Sequence, residues 1–135
     1  MNVDTEYKKG AETKGVSAVA RFGRMAYRLL AWVFLICIIA QVFIAGMATF
    51  TGQADWGLHM AFVKFFAPVP IIMILLSIIG RIRIWLSLGL FALIVFQFMS
   101  VELFSSVWVL AALHPVVALL LFWGAIVAVK QARGK

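Results

Sequence analysis

The chain has 135 residues, of which 65% are hydrophobic and 13% charged, with a formal net charge of +7. A soluble domain is nearer half apolar, with about a quarter of its residues charged. An apolar excess gathered in long runs, at a mean hydropathy of +1.09, therefore excludes an ordinary water-soluble core. The basic residues flank those runs, where membrane topology accounts for them, so the charge does not call for a nucleic-acid partner.

Residues 1–20 carry few large apolar side chains and are expected to form a disordered tail, leaving 21–135 as one four-helix membrane domain. Arg21, Arg24, Tyr27 and Arg28 read as a basic amphipathic turn at the membrane surface, suited to anionic headgroups. The first span covers about residues 29–50. A helix rising about 1.5 Å per residue needs about 20 apolar residues to cross about 30 Å of hydrocarbon. The apolar core of a cleaved signal is about 7–15 residues, so this run is expected to be retained. It contains Cys37, the sole cysteine. That excludes an intramolecular disulfide and leaves the thiol as a small apolar filler.

After the polar loop Thr51–Asp55, with Asp55 as a candidate helix cap, the second span covers about 56–79. Pro68 and Pro70 should kink or locally unwind it. Gly80–Arg83 turns the chain, and the third span covers about 84–104. Ser105 and Ser106 make a tight turn, with Ser106 as a cap, and the fourth span covers about 107–129 before a tail ending at Lys135.

Six lysines and arginines precede the first span, two lie between spans two and three, and three follow span four. The other two loops have none, which assigns both termini and the middle turn to the cytoplasmic side of the inner membrane. Trp32 and Trp85 then fall near the inner boundary, and Trp56 and Trp108 near the outer one, as an aromatic belt. Loops this short make neighbouring spans antiparallel. The expected fold is all-α, an up-down-up-down four-helix membrane bundle.

The two hairpins resemble each other. Gln41 precedes Leu58-His59 by nearly the same interval as Gln97 precedes Leu113-His114, and Arg28 to His59 matches Arg83 to His114. The pattern implies a parallel repeat about a pseudo-twofold axis along the membrane normal, with both histidines in the outer half. Counted from the helix starts, the two histidines differ in depth by about 6 Å at 1.5 Å per residue.

Ionisable residues inside a span are costly and default to functional candidates. Two facing neutral imidazoles could serve as the axial pair of a b-type haem, with His59 and His114 on the iron. Ala111, Ala118 and Ala125 lie along the face of His114 and would leave a groove for a flat ring. Phe62, Val63 and Phe66 share the face of His59 and could pack on that ring. Gln41 and Gln97 would hydrogen-bond to imidazole or propionate. Plainer accounts stand beside this one. Alanines at this spacing often mean close helix packing, and glutamine or histidine in a span often hydrogen-bonds across helices. Pro115 frees the carbonyl of Ala111, which could accept such a bond without any metal. Lys64 could snorkel to the outer interface. It could otherwise pair with Glu102, or reach a haem propionate.

The stretches Gln41-Val-Phe-Ile-Ala-Gly, Leu58-His59, Gln97 and Ala112-Leu113-His114-Pro115-Val116 resemble a family of small bacterial four-helix membrane proteins whose domain has no assigned activity. The likeness covers about residues 38–130 and implies fold and topology only. In that family a basic residue and a glycine are expected after the second-span histidine, whereas here Met60 and Ala61 follow His59. The repeated Leu-His pairs are also distantly similar to haem-carrying four-helix bundles, such as one half of haem A synthase or the cytochrome b561 type. That likeness implies haem b between the histidines.

Three functions remain open. The first is haem binding for electron transfer or haem handling. The second is a non-enzymatic accessory or scaffold subunit of a larger membrane complex or homodimer. The third is a small multidrug-type transporter, which would want a buried acid in the first span where this chain has Gln41. Phosphate-binding glycine loops and zinc-helix motifs are absent from the sequence, so catalysis is not the expected role.

Overall fold

A computed structural model describes the backbone of residues 3–102 and 107–133, and side chains from 18 onward except at 111. Six helices follow in order: α1 (Val3–Phe50), α2 (Trp56–Phe66), α3 (Val69–Gly80), α4 (Ile84–Glu102), α5 (Trp108–Ala112) and α6 (His114–Gln131). They make four segments long and apolar enough to cross a membrane: Ala18–Phe50, Trp56–Gly80, Ile84–Glu102 and Trp108–Gln131. These are spans 1 to 4 below.

Span 1 departs from expectation at its start. Helix α1 begins at Val3 rather than near Leu29, so residues 3–20 continue the helix instead of forming a separate tail. No proline precedes Pro68, and Glu6, Lys8, Lys9, Ala11, Glu12 and Lys14 are good helix formers. Once the apolar part is helical, each further residue adds a backbone bond without a new nucleation step. The expected turn at Ser105 and Ser106 and its cap lie outside the described residues.

The prolines break spans 2 and 4. Pro68 and Pro70 cannot donate to the carbonyls of Lys64 and Phe66, and span 2 is interrupted between α2 and α3 as the sequence implied. Span 4 is likewise interrupted at Leu113, one turn after which Val117 resumes regular bonding to the Leu113 carbonyl at 2.9 Å. Asp55 caps α2 as expected, its Oδ1 accepting from the Leu58 amide at 2.7 Å.

Span 1 packs on spans 2 and 4, and span 3 packs on the same two. Spans 2 and 4 therefore face each other across the diagonal of a four-helix square. Tyr27, Ala31, Phe34 and Ile38 form the buried stripe of α1, at the seven-residue spacing of an interlocking seam. It meets Met73, Leu90, Leu121, Ala125 and Ala128. Lipid is as apolar as these side chains, so dispersion from close packing holds them more than burial from water does. The closest approach is backbone on backbone. A Cβ on Gly23 would stand 2.7 Å from the Gly80 nitrogen, and the Arg24 Nε donates to the Gly80 carbonyl at 2.9 Å.

Tyr27 is a second correction. Far from lying on the membrane surface, it is fully buried, its hydroxyl 3.2 Å from the Ser87 hydroxyl. Ser87 in turn lies 3.0 Å from Ser77, whose hydroxyl donates to the Met73 carbonyl at 2.7 Å. One polar chain thus ties spans 1, 2 and 3 together near the arginine-rich end.

Candidate functional site

The square arrangement brings the two histidines together. His59 lies in the first turns of α2, and His114 opens α6 directly after the break at Leu113. Their ring centroids are 6.4 Å apart, at an interplanar angle of 54°. The offset in depth counted from the helix starts does not keep the side chains apart.

Each imidazole sits beside the glutamine that the repeat pairs with it. Gln41 reaches the backbone of His59, and Gln97 reaches His114 through one serine. The details then diverge. The Gln41 Nε2 donates to the His59 backbone carbonyl at 2.8 Å, tying span 1 to span 2. In the second hairpin a serine mediates: the Ser100 hydroxyl donates to the Gln97 carbonyl at 2.8 Å and stands 3.3 Å from the His114 Nδ1. Ser100 is fully buried. The sequence signal for it was its place one turn after Gln97, on the same face of α4.

Three buried polar atoms here have no hydrogen-bond partner: the Gln41 Oε1, the His59 Nδ1 and the Gln97 Oε1. Buried polar groups are ordinarily satisfied, and an orphan is worth explaining. Three around one histidine pair mark the place where the bundle has hydrogen-bonding capacity to spare.

The surroundings are aromatic. Trp56 meets His59 edge to face at 5.5 Å between centroids, on the side of the polar loop. On the other side Phe62 packs on Phe66 at 5.5 Å, and Phe66 on Phe34 at 5.9 Å. Phe62, Val63 and Phe66 thus do lie on the His59 side of α2 and join the core. These rings form an apolar floor between the histidines and the buried Tyr27–Ser87–Ser77 chain.

Other candidates sit differently. Ala125 is fully buried in the core cluster, so at its level the alanine stripe of span 4 is close packing and not a groove. Ala118 is half-buried, and the side chain of Ala111 lies outside the described residues. Pro115 occupies the first turn of α6, where its missing amide is tolerated. Lys64 and Glu102 are both exposed, and α2 packs on α1. The structure does not gather them with the histidines.

Among the described residues no group of three or more His, Cys, Asp or Glu is gathered. Two imidazoles can still complete a metal whose remaining ligands arrive with it. Opposed nitrogens at about 2.0–2.1 Å from one metal place their ring centroids about 6 Å apart, close to the 6.4 Å found.

No curated protein and no solved structure matches the chain. Residues 41–103 match the model of a family of unknown function (DUF6220), a stretch that includes Gln41, His59, Lys64, Gln97 and Glu102 and stops short of Ala111, His114, Pro115 and Ala118.

Proposed function

We propose that the chain is a small membrane protein that holds a b-type haem between His59 and His114, for electron transfer or haem handling. The supporting observation is the approach of two imidazoles from diagonal spans, their ring centroids 6.4 Å apart. The Ser100 hydroxyl would orient the His114 ring through its Nδ1, as hydrogen-bonding groups beside a metal-bound histidine commonly do. Phe62 and Phe66 would supply the apolar wall, and the free Gln41 and Gln97 oxygens would accept from water or a protonated group at the edge of the site. The bound haem would supply one-electron chemistry, its potential set by the two neutral ligands and the apolar shell.

The full chain purified from haem-replete cells should carry a Soret absorption band, lost in His114→Ala. A folded, colourless and haem-free preparation overturns the reading.

A second reading has its own support. The Gln41 bond to the His59 carbonyl and the Ser100–His114 contact also lock spans 1 to 2 and 3 to 4 with no cofactor. On this reading the protein is an accessory subunit of a larger membrane complex. It would co-purify with that complex, and His59→Ala would leave the association intact.

A further inference from the structure

The opposite end of the bundle from the histidines carries an excess of positive charge. The chain has five acids: Asp4, Glu6 and Glu12 are matched in number by Lys8, Lys9 and Lys14, and Asp55 and Glu102 lie toward the histidine end. Among the described residues Arg21, Arg24, Arg28, Arg81, Arg83, Lys130 and Arg133 remain, all at one end. Exposed like charges this close repel, so the end is complete only with anions against it.

A cavity marks where one would sit. Arg24 of α1, Arg81, Ile82 and Arg83 of the α3–α4 turn, and Gln131 and Ala132 at the end of α6 line a half-open cavity of about 130 Å³. Span 1, the turn between spans 2 and 3, and the end of span 4 contribute to it. Its walls are pinned by backbone contacts: the Arg24 Nε donates to the Gly80 carbonyl at 2.9 Å, and the Gln131 Nε2 to the Arg83 carbonyl at 3.0 Å. Arginine has five N–H donors, so Arg24 keeps four others for a ligand after that bond. The turn itself is unusual. It closes α3 with the Ile82 amide bonded to the Ser77 carbonyl at 2.8 Å and the Arg81 amide to the Ile78 carbonyl at 3.2 Å. That closure puts Arg81 in the left-handed region at φ 52°, where glycine is the usual residue. A guanidinium thus stands at the one position of the turn where a side chain is least favoured.

We propose that this cavity binds a phosphate group, supplied by the headgroup of an anionic phospholipid. Guanidinium forks match phosphate oxygens, and the apolar flanks of spans 1 and 4 would take the acyl chains. The site stands apart from the histidine pair and does not depend on what that pair holds.

The test uses the full chain in detergent, with native mass spectrometry counting retained phosphatidylglycerol and phosphatidylcholine. The parent should prefer phosphatidylglycerol, and Arg24→Gln with Arg83→Gln should lose about tenfold of that preference. Arg21→Gln with Arg28→Gln removes the same charge outside the cavity and should lose little. If the first double variant fails to fold, Arg83→Gln alone reads the same ratio. Inorganic phosphate added to the parent separates the two sources of the group. Failure to displace the lipid assigns the headgroup, and displacement at millimolar phosphate assigns a soluble phosphate ligand. Equal retention of the two lipids in the parent, or equal loss in both double variants, overturns the site.

Discussion

The imidazoles of His59 and His114 meet at 6.4 Å although their spans are not chain neighbours and stand across the diagonal of the bundle. The four-helix square, with spans 2 and 4 both packed on spans 1 and 3, brings them there. If they share one iron, neither leaves a position open on it. The reduced, haem-loaded parent should then bind carbon monoxide poorly, whereas His59→Ala should retain some haem and bind it readily. A parent that binds carbon monoxide as fast as the variant would exclude the shared iron.

The backbone contact between spans 1 and 2 makes a sharp stability prediction. A methyl at Gly23 meets the Gly80 nitrogen at 2.7 Å, and backbone cannot turn aside as a side chain can. Gly23→Ala should destabilise the bundle by about 1–3 kcal/mol through overpacking. Gly46 and Gly89 meet nothing within 4 Å. Alanine at either should be neutral or stabilising by up to about 1 kcal/mol, because glycine is the poorer helix former. Unfolding in mixed micelles ranks the three, and equal effects would mean that spans 1 and 2 do not cross at Gly23.

The buried hydroxyl chain should behave as a unit. Tyr27→Phe removes one hydrogen bond and leaves the ring in place, at a cost of about 0.6 kcal/mol, with about 1.7 kcal/mol as a ceiling for such bonds between membrane helices. Ser87→Ala should cost more, since Ser87 contacts both Tyr27 and Ser77 and its loss removes two hydrogen bonds. The double variant should cost less than the sum. Additive losses would mean the hydroxyls act separately.

The four spans were legible because each is a long apolar run bounded by polar loops, and Pro68, Pro70 and Asp55 act through local chemistry that needs no neighbours. The histidine pair was legible through its repeat with the glutamines. Other features depend on which face of a helix meets a partner. Tyr27 sits among arginines in the sequence and looks like an interface residue, yet the helix turns it inward while Arg24 and Arg28 point out. Ser77, Ser87 and Ser100 are small residues inside apolar runs, where a serine that bonds its own helix and one that bonds a neighbour read alike. Ala125 showed the reverse: its spacing suited a groove, but only the packing of Leu90 and Leu121 revealed that the space is filled.

Orientation in the membrane yields the last prediction. Eleven of the twelve lysines and arginines lie before Leu29, between spans 2 and 3 or from Lys130 onward. By the positive-inside rule the end that holds Arg81 and Lys130 is expected in the cytoplasm. The helical course of α1 extends the same end, because no break separates its lysines from span 1. The Gly52–Asp55 loop, with Trp56 beside it, then faces outward. In a Cys37→Ala background, Gln53→Cys should react with a membrane-impermeant maleimide in intact cells. Arg133→Cys should react only after permeabilisation. The opposite pattern would invert the bundle and place the arginine cavity on the outer face. Labelling of both sites in intact cells would mean that the chain does not keep one orientation, and the charge bias would then not be what sets its topology.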